Sequence, residues 1–224
     1  MTDHQVDQCA TVYDELVLWN EKVNLTKITG EDEAIVKHFV DSFTPVQILT
    51  DEERSQPLRM IDIGTGGGFP AIPLLILFPH WQATLVDSVG KKLNFVRHAL
   101  ETIGIKAEVL HMRAEDLAHQ KERRERYDLA IARALADLPV LLELTLPFIK
   151  VGGRLIAMKG KAVADEVARA SKAIHMLGGG NPVTTSLVLP DDVGERSLIS
   201  VAKLKATPAL YPRQAGTPQA APLV

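Results

Sequence analysis

Residues 60–74 read MIDIGTGGGFPAIPL: apolar residues run into Asp62, glycine occupies positions 64 and 66–68, and an apolar run resumes around Pro70 and Pro73. This pattern puts a carboxylate at a strand end and a backbone without side chains just beyond it. Glycine lets the chain approach a ligand closely and take positive φ where the turn needs it. A plain strand-to-helix turn manages with one or two glycines, so this richer loop points to a ligand. Gly66, Gly68 and Ala71 satisfy the G-x-G-x-x-G/A spacing of dinucleotide sites. Asp62 argues against that ligand, because a carboxylate two residues before Gly64 repels an incoming pyrophosphate. The same carboxylate suits the sulfonium and α-ammonium groups of S-adenosyl-L-methionine. No P-loop lysine follows the glycines, which weighs against a nucleoside triphosphatase.

Two further positions fit a nucleoside. Asp87 closes the segment TLVDS and can accept both ribose hydroxyls, in an NAD or an adenosylmethionine site alike. Its alternative role, compatible with the first, is to cap the helix that follows. Ala114 and Glu115, in HMRAED, follow a third strand where a loop can hold an adenine ring; the plainer reading of Glu115 is a solvated helix start.

These residues need strands to hold them. Strand character is predicted at 58–63, 82–87, 106–111, 127–132 and 154–158, with helices at 71–78, 90–103, 136–149 and 162–176. That alternation predicts an α/β, doubly wound parallel sheet, whose ligands sit beyond the carboxyl ends of the strands. PVTTSLVLP and RSLISVAKLK flank DDVGE and predict a closing antiparallel hairpin, which brings the sheet to seven strands. Ahead of the sheet, Thr2 and Gln5 stand at capping-box spacing, with Val6, Cys9, Val12, Tyr13, Leu16 and Trp19 at helical spacing behind them. A second helical pattern runs through Ile35, Val36, Phe39, Val40 and Phe43. The expected organisation is a helical cap over 1–57 with a linker at 50–57, a main domain over 58–206, and a proline-rich tail over 207–224 without a helix.

Composition narrows the class. The chain has 224 residues, 46% of them hydrophobic, enough for a substantial core. No apolar run approaches the roughly 20 residues that span a bilayer, and the first residues have neither the basic start nor the apolar centre of a signal peptide. The single cysteine, Cys9, excludes an internal disulfide and a cysteine-rich zinc site, and reads as a small apolar residue on a helix face. The chain therefore reads as cytoplasmic, with no membrane association and no metal site. The net charge of −3 and pI near 6.2 provide no general basic field, so contact with nucleic acid has to come from a local patch.

The stretch Asp62 to Pro70, with IPL and LVDSVGKKLNFV behind it, closely resembles the RsmG (GidB) family of 16S rRNA guanine-N7 methyltransferases. WNEKVNLT at 19–26, HFVDS at 38–42, RAED at 113–116, ARALADL at 132–138, MKG at 158–160 and YPRQAGTP at 211–218 extend the resemblance over nearly the whole chain. It implies a class I S-adenosylmethionine-dependent methyltransferase fold, Rossmann-like, with a small N-terminal helical cap. The implied activity is methyl transfer to N7 of one guanine of 16S rRNA, as free RNA or in a small-subunit assembly. By the same resemblance Gly64, Phe69, Ala114, Glu115 and Arg133 contact the cofactor, joined by Asp87 at the ribose. This chain departs at Ala71, where the family usually has glycine, and in a tail without the lysines common in relatives.

Guanine N7 offers an unprotonated lone pair, so transfer needs alignment and exclusion of water rather than a base, metal or nucleophilic cysteine. Arg133 is expected at the carboxyl edge of the fourth strand as the catalytic side chain, fixing the methionine carboxylate or orienting the guanine; the bland alternative is an ion pair with Asp62 or Asp137. Arg133, Lys159 and Arg213 are the candidate RNA contacts, since arginine clasps phosphate and stacks on bases. Lys91, Lys92 and Arg97 lie on one helix, and KERRER at 121–126 reads as a solvated loop. His38 and Asp41 share a helix face and read either as a structural hydrogen-bonded pair, the favoured reading, or as side chains facing the cleft, while Asn24 reads as the cap of a turn. No feature calls for an obligate protein partner. The residues alone leave open a methyltransferase for a small molecule or protein, and a nucleotide-binding module without catalysis.

Overall fold

The computed structural model describes residues 1–28, 30–160, 163–191 and 193–224. Seven strands form one sheet in the order β3-β2-β1-β4-β5-β7-β6. They are β1 (Arg59–Ile63), β2 (Gln82–Asp87), β3 (Glu108–His111), β4 (Tyr127–Arg133), β5 (Ile149–Lys159), β6 (Val183–Leu189) and β7 (Gly194–Ala202). The first five run parallel, and β7 pairs antiparallel with both β5 and β6. Burial follows position: β1 and β4 in the middle are covered on both faces, whereas the edge strand β6 is half exposed.

Side chains on a strand alternate between faces, and the sheet has a core on each face. Met60, Leu85, Leu129, Ile131 and Ile156 face the first, shared with Val12 and Leu16 of the helix Asp3–Val23, with Phe39, and with the helices Ala71–Leu77 and Gly90–Thr102. Ile61, Ile63, Val86, Ala130 and Leu155 face the second, shared with the helix Leu138–Thr145, with Ser171–Leu177, and with Tyr211 and Leu223 of the C-terminal tail. The N-terminal cap and the tail thus cover opposite faces.

The expected strands and the hairpin are present, with β5 extended at its start. The helix expected at 136–149 is Leu138–Thr145 plus a 3-10 turn, Leu146–Phe148. The one expected at 162–176 is split into Ala164–Arg169 and Ser171–Leu177, and positions 161–162 lie outside the described residues. Thr2 forms the predicted capping box with Gln5, and Asn24 closes the same helix in the left-handed region. The Cys9 thiol is half buried against the core, and burial pushes it up to about 11.

Four expectations need correcting. The linker at 50–57 contains the helix Asp51–Ser55, started by a capping box between Thr50 and Glu53, and the Glu53 carboxylate pairs with Arg154 at 2.6 Å. The second cap helix is interrupted by a π-helical turn, Ile35–Val40, a distortion frequent near functional sites. The run at 121–126 is not a solvated loop: Arg123 pairs with Glu108, and Arg124 donates to the carbonyls of Thr207, Pro208 and Tyr211. The tail holds one helical turn, Thr217–Ala220, with proline at its start.

Candidate active site

The parallel register brings the candidate residues to one edge. Ile63 pairs with Val86, Asp87 with His111, and Arg133 with Met158, so β1, β2, β3, β4 and β5 end together there. Strand order reverses between β1 and β4, where this kind of sheet opens a crevice. A cavity of about 350 Å³ lies at that edge, in the range of small-ligand sites. Its walls include Gly64, Gly66, Asp87, Ala114, Glu115 and Leu135.

The glycine loop is shaped by its own backbone and by Asp87. Gly64 and Thr65 both donate to the carbonyl of Val86, at 2.8 and 3.0 Å. Gly64 has φ +74°, and a Cβ there would stand 2.5 Å from Leu135 Cδ1. Asp87 Oδ2 accepts from the Gly66 amide at 2.8 Å, and Oδ1 accepts from Val89 at 2.8 Å. Asp87 therefore pins the loop and starts the next helix together, and each oxygen keeps a second lone pair for a ribose hydroxyl. Glu115 is buried, and its Oε1 accepts from the Gly216 amide of the tail at 3.0 Å. The solvated alternative for Glu115 is thereby removed.

Asp62, Phe69 and Arg133 are absent from that cavity's walls. Strand alternation explains Asp62 and Arg133, which share the parity of Met60 and of Leu129 and Ile131, the residues facing the cap. There Arg133 forms a seam with the N-terminal helices, and Asp62 lies buried beside it. Arg133 donates to Asp41 Oδ2 at 3.1 Å and to the Lys37 carbonyl at 3.0 Å, and its guanidinium lies 5.6 Å from the centre of the Phe69 ring. Arg196 of β7 donates to Asp41 Oδ1 at 3.1 Å. His38 stacks on the Phe69 ring, with centroids 4.8 Å apart, and burial with the Arg133 charge lowers its pKa to about 4, leaving the imidazole neutral at pH 7. The partner of Arg133 is thus Asp41, not Asp62 or Asp137; Asp137 pairs with Arg169 at 2.7 Å.

Asp62 is fully buried, and neither carboxylate oxygen has a hydrogen-bond partner at normal geometry; the Thr65 hydroxyl is likewise unpaired. Burial raises Asp62 to about 7, against the pull of the Thr65 hydroxyl and of Arg133, with Asp87 adding to the rise. An orphaned acid beneath a glycine loop suits a cationic ligand group, which would supply the missing partner. The site therefore fits adenosylmethionine: paired acceptors at Asp87, an apolar slot past Ala114, and a buried acid at Asp62 whose oxygens lack a well-formed hydrogen bond.

The two other candidate RNA cations are already engaged. Lys159 binds the Glu166 carboxylate and the Ala136 carbonyl. Arg213 is held by Glu143, a carboxylate with no solvent exposure, at 2.7 Å. Sequence reading did not single out Arg196, Leu135 or Glu143. Arg196 lies in a plain hairpin strand and Glu143 in an apolar helix, so no local pattern marked them; Gly216 sat inside the YPRQAGTP motif, which did.

Together the strand order, the glycine loop and the acid-lined crevice define a class I methyltransferase fold. A putative O-methyltransferase from Klebsiella pneumoniae shares it, with a TM-score of 0.57 at 18% identity over 87% of this chain and 90% of that one. An rRNA methylase from Streptococcus thermophilus does so at 0.50 and 20% identity, over 74% and 95%. The family model for rRNA small subunit methyltransferase G matches residues 5–193. Relatives carrying the name ribosomal RNA small subunit methyltransferase G are 46% identical in Lactobacillus johnsonii and 44% in Geobacillus thermodenitrificans, each over 100% of this chain and 93% of the relative. The chain belongs to the rRNA small subunit methyltransferase G family.

Proposed function

We propose that this protein transfers a methyl group from S-adenosyl-L-methionine to N7 of a single guanine of 16S rRNA, acting in the cytoplasm on the free RNA or a small-subunit assembly. The observation that carries the substrate is the identity of 46% over the full chain with a named small-subunit rRNA methyltransferase. The cofactor is supported by the crevice, with its acceptors at Asp87, and by the buried Asp62 beside the glycine loop.

When bound, adenosylmethionine supplies an electrophilic methyl group on its sulfonium. The residues of this chain divide the remaining work. Asp87 accepts from the ribose hydroxyls while it holds the glycine loop in shape. Ala114 and Glu115 border the adenine end, and Gly64 and Gly66 present bare backbone to the ligand. Asp62 and Arg133, of opposite charge, serve the ammonium and carboxylate of the methionine end or, for Arg133, the incoming base. Phe69 and His38 stack into an apolar wall beside Arg133 that keeps water from the reacting centre. Guanine N7 carries its own unprotonated lone pair, so no side chain has to remove a proton, and the residues of this chain act by holding the two reactants in line.

The test is a map of N7-methylguanine in 16S rRNA from cells with and without the gene. Loss of methylation at one position, restored by the purified protein, is expected; an unchanged map refutes the assignment.

A further inference from the structure

Arg213 of the C-terminal tail is a candidate RNA contact by its type and position, yet its side chain and amide turn inward. Arg213 meets Glu143 through two nitrogens, at 2.9 and 2.7 Å, and also donates to the Ala221 carbonyl at 2.8 Å. The Arg213 amide adds a bond to the same Glu143 at 2.8 Å. His119 Nε2 lies 2.8 Å from the Pro212 carbonyl, and Arg124 donates to the Tyr211 carbonyl at 2.8 Å. This fixed strap then passes the mouth of the crevice, where Gly216, Pro218 and Gln219 form part of its wall. Gly216 sits in the left-handed region at φ +86°, and its amide reaches Glu115.

We propose that the strap over residues 213–219 is part of the cofactor site: Gly216, Pro218 and Gln219 border the nucleoside of the ligand directly. Arg213 and Glu143 are positioning residues that hold the strap, and through the Gly216 amide they hold Glu115. The inference rests on the adenosylmethionine reading. It assigns the tail to cofactor affinity and not to RNA affinity. A carboxylate free to rotate loses its orientation towards the ligand, and a strap free to swing exposes the nucleoside to water. Glu143 is fully buried and its carboxylate meets Arg213, so the pair commits the strap to one docked geometry. The first turn beyond Gly216 is short and makes no anion site of its own; Gly216, Pro218 and Gln219 form the strap's part of the wall.

The experiment measures binding of S-adenosylhomocysteine by calorimetry, the KM for adenosylmethionine and for small subunits, and the melting temperature without ligand. Arg213→Ala is expected to weaken S-adenosylhomocysteine about tenfold and to raise the KM for adenosylmethionine alike, leaving the KM for small subunits unchanged; Arg213→Lys should recover part of the loss. Gln219→Ala, at an exposed position, should weaken binding about threefold with no change in melting temperature. Hydrogen exchange of the strap amides should slow when S-adenosylhomocysteine is added. Unchanged affinity in the Gln219→Ala protein together with unaltered strap exchange overturns the proposal, even if Arg213→Ala does not fold. A rise confined to the KM for small subunits also overturns it, by making the strap an RNA contact. If the unaltered chain binds no S-adenosylhomocysteine, the cofactor reading fails instead.

Discussion

The crevice and the seam meet at the same strand ends, yet they are assembled from different materials. The crevice is made mostly of glycine loop, short side chains and the acids Asp87 and Glu115, contributed by segments at the ends of β1, β2, β3 and β4 and bordered by the tail at Gly216, Pro218 and Gln219. The seam is made of long charged side chains from distant segments: Arg133 and Asp41 are 92 positions apart, and Arg196 and Asp41 are 155 apart. Arg133 belongs to the seam, with Asp62 buried beside it, only because alternation along β1 and β4 turns them towards the cap. The contrast teaches that most of a nucleoside site can be written locally, with the tail alone added from afar, whereas the place where charge must be balanced beside it depends on which element is folded over which face.

The seam is where a single change should cost most stability. Asp41→Ala leaves two partly buried guanidinium groups without their shared carboxylate, and breaking such a pair costs about 3–5 kcal/mol. For a chain of this length that corresponds to a fall in melting temperature of roughly 10 °C, measured by calorimetry. Affinity for S-adenosylhomocysteine should fall far less than on removal of Asp87, through the loosened Arg133 alone. A large loss of affinity with normal stability would erase the distinction between seam and crevice.

Asp87→Ala tests the other side. It removes the loop's hold on Gly66 and both ribose acceptors, so S-adenosylhomocysteine should bind about a hundredfold more weakly, equivalent to two charge-assisted hydrogen bonds. Titration calorimetry reads this directly, and undiminished binding would place the ribose elsewhere. Arg133→Lys asks whether seam and crevice act together. A lysine keeps the charge but not the planar fork shared between Asp41, the Lys37 carbonyl and the Phe69 ring. The protein should stay folded and methyl transfer should fall at least about tenfold, or 1.4 kcal/mol. Near-normal turnover would make Arg133 a strut of the seam alone.

The smallest expected effect is a pH dependence. With Asp62 raised to about 7, its carboxylate is mostly ionised at pH 8 and mostly protonated at pH 6.5. A cationic ligand group binds the ionised form, so affinity should fall about fourfold between those values. Stability carries the opposite sign. The folded chain holds this proton more tightly than the unfolded one, so the contribution of Asp62 is full below the unfolded pKa near 4 and is lost as pH rises through about 7. Asp62→Asn should flatten the affinity profile, and a slope that survives it would move the titrating group away from β1.

The sequence by itself determined the alternation of strand and helix, the closing hairpin, the glycine loop and the acids at the ends of β1 and β2. Each depends on neighbours a few positions away: the period of apolar residues, a left-handed turn that only glycine makes freely, a carboxylate placed where a strand stops. The cap's first helix was legible for the same reason, through its capping box. Only the tertiary structure decided that Arg133 would meet Asp41, that the charged run at 121–126 would clasp the tail, and that Arg213 would be spent on a buried Glu143. Those outcomes depend on which face of the sheet the first fifty residues and the last eighteen come to cover, and no spacing within either segment encodes that choice. Burial then settles the roles: charged side chains enclosed by a second element must find partners there, and the partner available is fixed by the packing.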